Sequence, residues 1–138
     1  MTINKVLIVD DTKADRRFFI LAFIEVNPNI ELMVAPDCKE ALALLHGATT
    51  LPDLICMDTH MPFKDGFECF EEIKREARFT HIPIIICSGS SDAHHESKAI
   101  EKGAAYLLTK PVNFEDLPGI LKEVIESIPD SALKSVKV

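Results

Sequence analysis

The stretch "LICMDTHMPFKDG", residues 54–66, decides the fold. Four apolar residues, Leu54 to Met57, run into Asp58, and a turn containing Pro62 and Gly66 follows at once. A short unbroken apolar run bounded by turn residues is the pattern of a strand buried on both faces. Ending such a strand on a carboxylate is costly, because an unpaired buried charge loses its hydration without replacement. Asp58 therefore needs compensating groups from elsewhere in the chain.

The same pattern recurs on either side. "KVLIVD" (5–10), "IELMVA" (30–35), "PIIICS" (83–88) and "AAYLLT" (104–109) read as strands, as does "DLICMD" (53–58). Between them lie segments of helical period. The first runs from about Lys13 to Val26 and is closed by "NPN". "PDCKEALALLHG" has Asp37 as N-cap, Glu40 three residues on and Gly47 as terminator. "FECFEEIKREA" and "DAHHESKAIEKG" follow, and the last helix runs from about Glu115 to Ile128, with Pro118 tolerated only near its first turn. Five strands alternating with five helices predict an α/β fold, with a parallel sheet covered on both faces. Ligands of such folds bind beyond the carboxyl ends of the strands. Asp10, Asp11, Asp58, Ser88 and Lys110 all fall there, and the second strand, ending at Ala35-Pro36, adds no polar group.

The whole chain narrows the function. At 138 residues it is one domain, expected over 4–128 with a short tail at 129–138, and 47% hydrophobic content excludes disorder. A net charge of −7 argues against nucleic acid or an anionic membrane as direct partner. The apolar run after Lys5 is too short for a signal peptide, and "FFILAFI" (18–24) is too short to cross a bilayer. Cysteines 38, 56, 69 and 87 form no CxxC pair or zinc-ligand spacing; Cys56 and Cys87 read as reduced core residues of a cytoplasmic protein.

Carboxylates gathered at one sheet edge repel, and a cation relieves them. Hard oxygen ligands with open positions suit Mg²⁺; with Asp10, Asp11, Asp58 and Lys110 the formal charges then cancel. A carboxylate is also a nucleophile towards phosphorus. Mg²⁺ and Lys110 would meet the charge developing on a transferring phosphoryl group, and Ser88 could donate a hydrogen bond to it. Each piece alone is a turn or cap; polar groups of complementary type at four of five strand ends point to a phosphorylatable Asp58.

"VLIVDD", "PDLICMDTHMPFKDGFE", "PIIICSGS" and "KGAAYLLTKP" resemble the signature segments of the response-regulator receiver domain of two-component signalling, in order and at matching spacing. The resemblance implies a flavodoxin-like, doubly wound five-stranded sheet in order 2-1-3-4-5. It implies that Asp58 takes a phosphoryl group from a phosphohistidine on a histidine kinase or phosphotransfer protein. Asp11 would bind Mg²⁺ (or Mn²⁺) directly, Asp10 through water, and the backbone carbonyl of His60 would be a further ligand. Ser88 and Lys110 would contact the phosphoryl group, Tyr106 would be the aromatic switch, and Lys110-Pro111 stands at a bond that is often cis. Gly89 stands where alanine is more frequent, Cys38 where glycine is common, and His60 where side chains influence phosphate loss.

Other features are weighed against these. Phe18, Phe19, Ala22, Phe23 and Val26 share one face of the first helix, with Arg17, Ile20 and Ile24 opposite, so apolar side chains are expected on its outer face, the one that contacts the phosphodonor in the family. His94 and His95 are expected in solvent. A haloacid-dehalogenase-like aspartyl-phosphate hydrolase is the alternative, but it wants a carboxylate two residues after the nucleophile, where His60 stands. A dinucleotide-binding module is disfavoured by "DDTKAD", an acidic, glycine-free first turn. With ten residues after Ile128, output is expected through a downstream protein in trans.

Overall fold

The structure, a computed structural model, describes residues 3–89 and 93–128. Five parallel strands lie in the order β2-β1-β3-β4-β5: β1 Lys5–Val9, β2 Glu31–Ala35, β3 Leu54–Asp58, β4 Ile84–Ser88 and β5 Tyr106–Thr109. The helices are α1 Lys13–Val26, α2 Cys38–Gly47, α3 Gly66–Arg75, α4 Ala93–Lys102 and α5 Leu117–Ser127. The expected tail, 129–138, lies outside the described residues.

Strand alternation splits the core into two layers. Leu7, Val9, Ile55, Met57, Ile84 and Ile86 face α2 and α3, with Ala99 of α4. Val6, Ile8, Leu54, Cys56, Ile85 and Cys87 face α1 and α5. The central strands are buried throughout, which explains their unbroken apolar sequence. Register brings their ends level: Val9 pairs with Met57, Asp58 with Cys87, and Ser88 with Thr109.

Several local expectations change. In α1 the buried stripe centres on Phe19, Ala22 and Phe23. At about 100° per residue, Phe18 and Ile20 flank that stripe and Leu21 lies opposite. Ile20 therefore packs against the core, while Phe18, Leu21 and Ile24 are exposed. Phe18 stacks on Phe114, with ring centroids 4.4 Å apart. Asp37 caps α2 by accepting from the Glu40 amide, but Gly47 is the last helical residue and not a left-handed terminator; Ala48 turns the chain away in extended conformation. α3 begins one residue early, at Gly66, because Asp65 and Glu68 form a reciprocal capping box. A 3-10 turn, Phe114–Asp116, precedes α5, which places Pro118 in the first helical turn, where its missing N–H costs nothing. No cis peptide bond occurs among the described residues, so Lys110-Pro111 is trans.

The cysteines divide. Cys56 and Cys87 are free and buried, as expected. Cys38 and Cys69 are joined in a disulfide between α2 and α3, with Cα atoms 5.6 Å apart, which spacing alone did not announce.

Candidate functional site

Asp58 ends β3 with only 5% of its surface exposed, and Asp10, directly after β1, has 2%. One carboxylate oxygen from each of Asp10, Asp11 and Asp58 lies within 4.8 Å of the others; Asp11 is the exposed member. Lys110, directly after β5, reaches across to them. Its Nζ is 2.9 Å from Asp10 Oδ2 and 3.3 Å from Asp58 Oδ1. Four residues separated by up to 100 positions thus meet at one sheet edge because the parallel register aligns their strand ends.

The electrostatics are unbalanced. Burial, then the Asp10 charge, push the Asp58 carboxyl from 3.8 up to about 7, against the pull of Lys110. Burial works against the Lys110 ammonium too, but hydrogen bonds to Asp15 and Asp10 outweigh it and hold its pKa above the usual lysine value. Asp15 is a residue that sequence reasoning missed. Its Oδ2 is 2.8 Å from Lys110 Nζ, from the first turn of α1. Asp11 lies before the helix and Asp15 inside its first turn, so no spacing in the sequence announced that Asp15 would reach Lys110. With Asp15 counted, four carboxylates face one lysine, and a divalent cation would leave one negative charge instead of none. That surplus, with three carboxylate oxygens converging, is what a divalent cation fits; Asp10, Asp11 and Asp58 could hold one.

The acceptor side is firmly built. Asp10 Oδ1 accepts from the Thr12 amide at 2.9 Å, and Arg16 donates to the Asp10 carbonyl at 2.7 Å. Gly66 packs so tightly under Asp58 that a Cβ there would collide with the Asp58 carbonyl. The Gly66 amide donates to the Thr59 carbonyl at 2.9 Å. Thr59 itself is buried, and its hydroxyl has no hydrogen-bond partner.

Ser88 ends β4 fully buried, with Oγ 3.1 Å from His95 Nδ1. This corrects the expectation for His95: α4 turns its ring inward, against Phe67 and Ser88, while His94 stays exposed. His60 is exposed on the turn after β3, its ring centroid 6.1 Å from that of His95. Tyr106, at the start of β5, is 42% exposed, so the structure places it beside the α4–β5 groove and not among the carboxylates.

Comparison with known proteins agrees with this architecture. The response regulator receiver domain family matches residues 6–122. The rice two-component response regulator ORR8 (Oryza sativa subsp. indica) is 29% identical over 124 residues, covering 90% of this chain and 100% of that protein. The crystal structure of the phosphorylated cyanobacterial phytochrome response regulator RcpA is similar with a TM-score of 0.82 at 28% identity, covering 94% of this chain and 96% of that one. The Mn²⁺-bound response regulator Rcp1 gives 0.77 at 28% identity, over 88% of this chain and 91% of that one. Sheet order, clustered carboxylates and family match converge: the chain belongs to the response-regulator receiver domains of two-component signalling.

Proposed function

We propose that Asp58 accepts a phosphoryl group from a phosphohistidine on a histidine kinase or phosphotransfer protein, and that this switches binding of a downstream protein in trans. The observation that carries the reading is a buried strand-end carboxylate, Asp58, flanked by Asp10 and Asp11 and reached by Lys110 at 3.3 Å. An Asp58 oxygen attacks phosphorus as the bond to the donor imidazole breaks, and the released imidazole takes a proton from water. A bound Mg²⁺ or Mn²⁺ supplies positive charge for the phosphoryl oxygens, and Asp10, Asp11, Asp58 and the His60 main-chain carbonyl are the groups that would hold it. Lys110 Nζ supplies a further positive charge beside Asp58.

Ser88 donates to a phosphoryl oxygen once its hydroxyl turns from His95. Tyr106 then has room to move, since it borders a groove of about 360 Å³ that Ala99, Ile100 and Leu107 also line. Among the structural neighbours, one is described as phosphorylated and another as Mn²⁺-bound, which supports both halves of this reading. The hydrolase alternative finds no second carboxylate at its required position, where His60 is exposed. Acetyl phosphate or a phosphorylated kinase should label the protein on Asp58, and Asp58→Asn should abolish the label while leaving the fold intact. A stable acyl phosphate mapped to another residue would overturn the assignment.

A further inference from the structure

Cys38 opens α2 and Cys69 sits in the first turn of α3, 31 residues later. Their surroundings differ. Cys69 is 0% exposed in the core layer between the sheet and the helices. Cys38 borders a groove of about 500 Å³ that Pro62, Phe63 and Lys64 also line, a wall supplied by the turn leading from Asp58 to α3. Cys38 is itself buried, 3% exposed, so the groove is where a reagent would approach it; Cys56 and Cys87 are buried in the other core layer and line no such groove.

The disulfide is mechanically joined to Asp58. Cys69 lies three residues after Gly66, one helical turn on, and Gly66 has no room to approach the Asp58 carbonyl more closely. Closing two thiols from van der Waals contact to a covalent bond draws their carriers together by about 1.5 Å. Whatever part of that movement α3 takes up towards the sheet meets the Asp58 carbonyl and the Thr59 Cα at Gly66, where a single added carbon would already collide. A misplacement of about 1 Å at a reacting group is enough to change rates by orders of magnitude.

We propose that Cys38 and Cys69 are a reversible thiol–disulfide couple that sets the reactivity of Asp58, a redox input that rests on the phosphoacceptor reading. Hydrogen peroxide oxidises the pair in two steps. The Cys38 thiolate attacks one peroxide oxygen, the O–O bond breaks, and a sulfenic acid forms with loss of water. The Cys69 thiol then attacks the Cys38 sulfur, the S–O bond breaks and a second water leaves; two thiols are oxidised and one peroxide is reduced. A small dithiol reverses it. Its thiolate attacks Cys38 from the groove, Cys69 leaves as thiolate and takes a proton, and the second thiol of the reductant releases Cys38 while closing its own disulfide.

The full-length chain is equilibrated in dithiothreitol redox buffers, trapped with N-ethylmaleimide under denaturing conditions and weighed by intact mass spectrometry. The chain has four cysteines, so the reduced form should take four maleimides and the oxidised form two, on Cys56 and Cys87. Acetyl-phosphate labelling of Asp58 should then differ by about threefold or more between the two forms. Cys69→Ser should show one rate under both conditions; the comparison of wild-type forms stands without it should that variant fail to fold. A bond that never forms, or one that survives excess dithiol, overturns the couple. Equal labelling of the two forms overturns its control of Asp58 while leaving the phosphoacceptor reading intact; no label on Asp58 in either form defeats both.

Discussion

Asp58 is the residue at which burial and charge conflict most. Its folded pKa of about 7 exceeds the unfolded value of 3.8, so between those values the folded protein binds more protons than the unfolded chain. Stability contributed by that proton is present at low pH and is lost as pH rises through the interval. In EDTA the protein should therefore be less stable at about pH 8 than at about pH 5, with Asp58 accounting for on the order of 2 kcal/mol. Asp58→Asn should flatten that slope and raise stability at the higher pH; urea unfolding at both values checks it, and an unchanged slope would sink the clustered-carboxylate account. Thr59 offers a second residue-scale test. Its buried hydroxyl is unpaired, so Thr59→Val, which replaces an oxygen by a methyl of similar size, should stabilise the fold by about 1 kcal/mol. A destabilised variant would mean that the hydroxyl has a partner, such as a bound water.

At the scale of elements, α3 is the piece that holds the acceptor in place. Gly66 starts it against the Asp58 carbonyl, and no side chain can give way there. Gly66→Ala should cost about 3 kcal/mol and sharply reduce labelling of Asp58, because the backbone itself must move. Differential scanning calorimetry with acetyl-phosphate labelling reads both, and a variant indistinguishable from wild type would show that the turn is pliable. α4 is held differently, by the Ser88–His95 contact at its first turn. Ser88→Ala should still be labelled on Asp58 yet lose the phosphorylation-dependent gain in partner affinity, since the hydroxyl that links phosphoryl group and helix is gone. Equal gains for both proteins, measured by calorimetric titration, would remove Ser88 from the switch.

For the molecule as a whole, four carboxylates around one lysine make the native state a better ligand for a divalent cation than the unfolded chain. Mg²⁺ at about ten times its Kd should add about 1.4 kcal/mol, a Tm rise of a few degrees. Asp11→Ala should abolish that rise. The architecture responsible was legible in the sequence, because a doubly wound sheet buries its central strands on both faces, and "VLIV", "LICM" and "PIIIC" carry no charged residue before the sheet edge. The places of Asp10, Asp11, Asp58, Ser88 and Lys110 were legible for the same reason: each lies at a strand's carboxyl end or within two residues of it. What escaped depends on side chains that cross between elements. Asp15 reaches Lys110 from a helix, the His95 ring turns under α4 to Ser88, and Cys38 meets Cys69 only because α2 and α3 pack side by side. No local pattern encodes those meetings.

The bond between Cys38 and Cys69 closes a covalent ring that contains Asp58 and the exposed Pro62-Phe63-Lys64 tip. A protease that cuts the main chain after Lys64 would therefore leave one molecule. On a non-reducing gel the nicked chain should migrate as a single species; with reductant it should part into two fragments, the larger beginning at Asp65. In the oxidised protein the most exposed turn beside the acceptor can thus lose its peptide continuity without the two halves coming apart.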